Sequence, residues 1–203
     1  MVSANREQNI RKIIDMEDRI CECRRCSSLI KCVRKPSQGK GDLEPDIILV
    51  FEYESGFCKE PDNVTKLRDM IKQETNIQRV YHTFMVRCGP KTCVNLPNSS
   101  CYVDHKLIDK DNNCRLSRKK CDGISIPPGT EEIMSCLPFL IEEIETLNPS
   151  LVILFGHRVG TYVLRSYGIF EEPEVGQRYT AANKTFVCTV REDSFNFVEC
   201  KKI

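Results

Sequence analysis

Four short apolar runs separated by helix-patterned segments set the strongest limit on how this chain folds. "DIILVF" (46–51) is apolar almost without interruption, as a parallel strand buried on both faces requires. "RVYHTFMVRC" (79–88), "SLVILFG" (150–156) and "KTFVCTV" (184–190) read as three more strands. Between them, "NVTKLRDMIKQET" repeats apolar residues at Val64, Leu67, Met70 and Ile71 and predicts a helix. "TEEIMSCLPFLIEEIETL" predicts another, with Thr130 as its N-cap, Glu131 and Glu132 at the positive end of the dipole, and a bend at Pro138. "HRVGTYVLRSYG" predicts a short helix closed by Gly168. At the amino terminus, Ile10, Ile13, Ile14 and Ile20 mark one face of an amphipathic helix interrupted by Glu17.

This alternation predicts an α/β fold: three α/β/α layers around a mostly parallel four-stranded sheet. The 203 residues form one domain. Residues 89–128 break the rhythm, and are expected to be a Cys-rich insertion within it. In such sheets the site lies at the carboxyl ends of the strands. Here those ends are 51–56, 86–90, 155–158 and 191–194.

Thirteen cysteines need an explanation. The start "MVSANREQNIRK" is polar and no run approaches membrane length, so the expected setting is the cytoplasm, without membrane partners. In a reducing compartment an odd, large cysteine count favours metal or cluster ligation over disulfides. The net charge of +1 gives no global sign of nucleic-acid binding, although a local patch can suffice. "ICECRRCSSLIKC" holds Cys21, Cys23, Cys26 and Cys32, and its Cys-x-x-Cys fits zinc, an iron–sulfur cluster or a redox dithiol.

Wider spacing narrows those options. "CRRC" follows the first helix, "VRCGP" closes the second strand and "MSCLPFL" lies in the helix after the insert. Together they resemble the iron–sulfur branch of the uracil-DNA glycosylase superfamily, the family 4 and 5 enzymes. "PDIILV" and "PSLVILFG" resemble that family's strand entries, and the likeness runs over roughly residues 10–195 outside the insert. The resemblance implies a 4Fe–4S cluster on Cys23, Cys26, Cys88 and Cys136. Four thiolates complete a cluster's coordination, and a four-thiolate zinc site is the alternative. Cys21, Cys32 and Cys58 are left over as packing residues or free thiols, with Cys21 as an off-register ligand the alternative.

The resemblance also implies a DNA partner and a role in DNA repair; the chain is expected to be a monomer. It does not extend to the catalytic motifs. Where the family has "G-E-[AG]-P-G", this chain has "VFEYESG", in which only Glu52 keeps its place. Phe51 and Tyr53 bring bulk there, so a filled base pocket is expected. The family's stacking Phe segment is absent. Its uracil-reading Asn falls at Phe84, and its "H-P" at Arg191–Glu192. His82, His105 and His157 match no catalytic position; His157 is read either as facing the old pocket or as a surface residue at a helix start. The candidate site is therefore Glu52, orienting water or merely salt-bridged, with Tyr53, Phe84, His157 and Arg191 as pocket residues.

Within the insert, Cys93, Cys101, Cys114 and Cys121 are a candidate second metal site, for zinc, with unliganded thiols as the alternative. "CRLSRKKC" offers Arg115, Arg118, Lys119 and Lys120 to phosphate, or to solvent. Three functions follow: a nucleic-acid protein with lost or altered base excision, an active glycosylase for a hypoxanthine- or xanthine-type base, or a non-catalytic iron–sulfur protein for interaction or redox sensing.

Overall fold

A computed structural model describes residues 4–26, 36–89, 91–92, 113–114, 118–119 and 124–203. Its elements run α1 (Ala4–Cys21), β1 (Lys40–Gly41), β2 (Ile47–Tyr53), α2 (Gly56–Lys59), α3 (Pro61–Thr75), β3 (Val80–Val86), β4 (Lys91–Thr92), β5 (Ile124–Ser125), α4 (Thr130–Leu147), β6 (Leu151–Phe155), α5 (His157–Ser166), β7 (Arg178–Ala181), β8 (Lys184–Thr189) and α6 (Phe197–Cys200). The main sheet has the order β1-β3-β2-β6-β8-β7. Its four inner strands are parallel and are the four apolar runs of the sequence. Two antiparallel edge strands, β1 on β3 and β7 on β8, extend the expected four-stranded sheet to six.

Both faces of the sheet are covered, which is why its strands carry no polar stripe. Alternate residues of β2 point to opposite faces. Ile48 and Val50 meet Ile20 of α1, Ile144 of α4 and Val163 of α5. Ile47, Leu49 and Phe51 meet Leu67 and Ile71 of α3 and Cys200 of α6. The result is the expected α/β/α sandwich. Among the described residues no helix is long and apolar enough to cross a membrane.

Three local expectations are corrected. On α1 the buried face is Ile13, Met16 and Ile20 with Asn9, whose Nδ2 donates to the Leu43 carbonyl at 2.9 Å. Ile14 is 53% exposed, because one helix face cannot hold two adjacent residues equally. Thr130 is the first helical residue of α4; Gly129 caps it. Pro138 lies within α4 without dividing it. Pro138 and Met134, whose carbonyl loses its helical partner, both lie on the solvent side, where water can serve that oxygen.

A buried charge cluster sits between β3 and α4. Arg87, Tyr81 and Thr83 all converge on the Glu143 carboxylate. Tyr81 donates at 2.7 Å and Thr83 at 2.6 Å, and Arg87 pairs with it directly. Arg87 and Glu143 are each only 1% exposed.

Candidate functional site

The strand order changes direction between β2 and β6, and ligands of open α/β sheets bind at such points. Here the loops beyond β2, β6 and β8 are laced to one another. Glu52, at the end of β2, accepts from Arg158 Nη1 at 2.6 Å, and Arg158 Nη2 donates to the Pro128 carbonyl at 2.9 Å. Burial raises the Glu52 pKa, while Arg158 and then Arg191 oppose the rise. The Arg191 guanidinium lies against the Tyr53 hydroxyl. The Ser55 hydroxyl donates to Glu192 at 2.7 Å and accepts from the Cys58 amide at 3.4 Å. Gly156 adopts φ +93°, and a side chain there would press on Arg191 Cγ. His157 points elsewhere: it opens α5 and pairs with Glu172 at 2.6 Å on an exposed surface.

Phe84 occupies a separate groove of about 370 Å³ beyond β3. Phe84 and His82 form its wall, with Cys58 and Glu54 from the β2 loop and Ser37 and Lys40 from the segment leading into β1. The bulky residues do not fill this space. Phe51 is fully buried beneath it, 6.0 Å from Phe84 and 4.9 Å from Phe155 between ring centres. Tyr53 packs with the opposite core. Sequence reasoning missed His82 as a groove residue. Its signal was position: two residues before Phe84 on one strand, it shares that face. The two rings meet edge to face, with centres 6.0 Å apart. Burial pushes the Cys58 thiol up to about 12, which leaves it protonated and unreactive.

The thiols follow a different logic. Cys23 and Cys26 leave the end of α1, Cys88 follows β3 and Cys136 lies in the second turn of α4. All four border one small pocket with Ile20, Val86, Arg87 and Phe139. The Arg87 amide donates to Cys136 Sγ at 3.4 Å. Burial pushes the Cys26 and Cys136 thiols up, and Arg87 opposes this at Cys136. Among the described residues, no three Cys, His, Asp or Glu side chains group closely enough to hold a single ion. Arg87 Nε is buried and finds no hydrogen-bond partner.

Of the insert's cysteines only Cys114 falls among the described residues, and it is buried. Its amide donates to the Lys119 carbonyl at 2.8 Å and its carbonyl accepts from the Arg118 amide at 2.7 Å. Arg118 and Lys119 are exposed. Cys93, Cys101, Cys121, Arg115 and Lys120 lie outside the described residues, as does Cys32.

A model of the uracil DNA glycosylase superfamily matches residues 26–190. Among curated proteins, none matches the chain. The matched span contains all four parallel strands and ends one residue past β8. It includes Glu52, Phe84, Cys88 and Cys136, and begins at Cys26. With most of its length and its whole parallel sheet inside that match, the chain belongs to the uracil DNA glycosylase superfamily.

Proposed function

We infer that this DNA glycosylase-like protein binds DNA in a repair context, carries a 4Fe–4S cluster and no longer excises uracil efficiently. The observation that carries this reading is the lacing of the sheet's carboxyl edge. At positions where the family places groups that act on the nucleotide, Glu52 is paired with Arg158, Arg191 with Asp193, and Glu192 with Ser55. Phe84 offers no amide to read a pyrimidine edge, and each such hydrogen-bonded pair is worth about 1–3 kcal/mol when its partner is buried. Losing a preorganised donor to the leaving base typically costs about 10²–10³ in rate.

Cys23, Cys26, Cys88 and Cys136 would hold the cluster. The donor set suits it: four thiols from three elements in an apolar surround, with the Arg87 amide donating to Cys136 Sγ. A four-thiolate zinc site on the same residues is the alternative. When bound, the cluster supplies four metal–thiolate bonds joining α1, β3 and α4. Zinc on the insert cysteines is a separate proposal, checked by metal analysis.

Two measurements test the reading. Protein purified without oxygen should be brown with about four irons per chain, and serine at any of the four cysteines should remove them; a colourless protein with one zinc would refute the cluster. Single-turnover assays on single- and double-stranded DNA should give no rapid uracil release. Release of hypoxanthine or xanthine alone would promote the altered-specificity reading, which the open groove beside Phe84 favours. Rapid uracil release abolished by Glu52→Gln would overturn the loss of activity.

A further inference from the structure

The buried ion pair between β3 and α4 calls for an explanation that stability does not supply. Exchanging such a pair for apolar side chains is often neutral or stabilising. Arg87 and Glu143 are nevertheless each 1% exposed, and Tyr81 and Thr83 direct their hydroxyls to the same carboxylate. The pair adjoins the thiol pocket. Arg87 immediately precedes Cys88, and its amide donates to Cys136 Sγ at 3.4 Å. Glu143 lies on α4 two turns beyond Cys136, and so on the same side of the helix. One residue of β3 thus holds α4 at two points, by its main chain at Cys136 and by its side chain at Glu143. Charge links the two places as well. Four metal-bound thiolates bring negative charge into an apolar pocket, where it needs a cation. Of the described residues lining that pocket, Arg87 alone is charged. Its charge acts on Cys136 and favours the thiolate there. Arg25 stands 4.7 Å over the Phe139 ring, but it is exposed, where water weakens its field.

We propose that Arg87 and Glu143 are positioning residues for the thiol site: they fix Cys136 against Cys88, and the balance of their charges sets the reduction potential of the metal centre that the thiols hold. The proposal rests on the cluster reading above. Arg87 favours added negative charge at the site and Glu143 opposes it. Tyr81 and Thr83 moderate Glu143 by donating to its carboxylate. Net charge and hydrogen bonds to the sulfurs are the means by which a protein tunes such a centre.

The test uses the full-length protein purified without oxygen. Its iron is counted, and its midpoint potential is read by protein-film voltammetry, in which the electrode supplies one electron per cluster. Glu143→Gln removes the negative charge and should raise the potential. Arg87→Gln removes the positive charge and should lower it. Each shift should be about tenfold in the equilibrium, which is about 59 mV for one electron. Arg87→Lys, which keeps the charge, should stay closer to the unsubstituted protein than Arg87→Gln does. A merely structural pair would weaken both variants alike and would not move the potential in opposite directions. Shifts of one sign, or none, would overturn the proposal. Should a single variant fail to fold, Arg87→Met combined with Glu143→Leu replaces the pair by apolar groups. A potential changed from the unsubstituted protein then supports the proposal, and an unchanged one overturns it. If the protein holds no iron, the cluster reading fails by itself. Cobalt(II) added to the metal-free protein then decides the positioning through its thiolate charge-transfer absorption. Binding about tenfold weaker in Arg87→Gln and restored in Arg87→Lys supports it; equal binding in all three proteins, or none in any, overturns it.

Discussion

At the scale of single residues, the buried pair Arg87–Glu143 and the buried His82 make opposite demands on the fold. Glu143 gathers Arg87, Tyr81 and Thr83 in a site that water does not reach. Removing one member of a buried ion pair leaves an uncompensated charge, at about 3–5 kcal/mol. Glu143→Leu should therefore cost roughly that much in urea denaturation, and Arg87→Met added to it should recover much of the loss. A double variant destabilised by the sum of Glu143→Leu and Arg87→Met alone would show that the pair is not coupled. His82 works through protons. Its folded pKa of about 4 lies below the 6.5 of an unfolded histidine. The unfolded chain thus takes up the proton first as pH falls. The stability that neutral His82 contributes is fully present above pH 6.5 and is lost down to about pH 4, up to about 3 kcal/mol in all. Stability measured at pH 7.5 and 4.5 should differ less in His82→Phe than in the unsubstituted protein; identical differences would rule out a titrating His82. Neither feature was legible as such in the sequence. Period-two alternation places Tyr81, Thr83 and Met85 on one face of β3 and His82 and Phe84 on the other, but it does not reveal that a glutamate from α4 completes the first face.

Among the secondary-structure elements, the close fit of α5 against β8 depends on a missing side chain. A Cβ on Gly160 would stand 2.9 Å from Pro173 and 3.0 Å from Cys188 Sγ. Gly160→Leu should destabilise the protein by about 1–3 kcal/mol through overpacking, read as a lower melting temperature. A change within error would mean that Pro173 gives way freely. The parallel strands and long helices were readable because each is a sustained apolar pattern. β7 was not, because its residues alternate between exposed and buried at a sheet edge and carry little hydrophobic signal. Its turn had a readable mark. Ala182 and Asn183 both adopt positive φ, 50° and 59°, as a two-residue hairpin turn requires, and Asn is a preferred residue there. β1 spans two residues and has no sequence signature at all. The thiol pocket was legible for a different reason: cysteine spacing along the chain survives whatever the intervening loops do. The lacing of Glu52, Ser55, Arg158, Arg191 and Glu192 was not, since which charges meet across three loops is decided by the sheet.

For the whole molecule, a net charge of +1 means that any grip on DNA must come from local cations. Arg118 and Lys119 are exposed and adjacent. If they touch phosphate, replacing both by Glu should flatten the salt dependence of binding by about 0.9 in log–log slope for each phosphate no longer neutralised. An unchanged slope would place the DNA elsewhere. The segment before β2 has a further consequence at this scale. β3 is the outermost parallel strand on one side of the sheet, and all seven of its residues are buried. Its outer edge is covered by a thin strap: Ser37 donates to the Arg87 carbonyl at 2.9 Å, Lys40 and Gly41 pair with His82 and Tyr81, and Asp42 reaches the Val80 carbonyl. The strap follows Cys23 and Cys26 in the chain, and the pocket those thiols border also takes in Val86 at the end of β3. Released, the strap would bare "VYHTFMV", an uncharged, proline-free run rich in strand formers, of the kind that pairs with copies of itself. If the thiols hold the proposed cluster, its loss should appear first as light scattering that grows with protein concentration, before the helical circular dichroism signal falls. The cysteine pocket would thus be a guard against self-association of the strand whose end it borders.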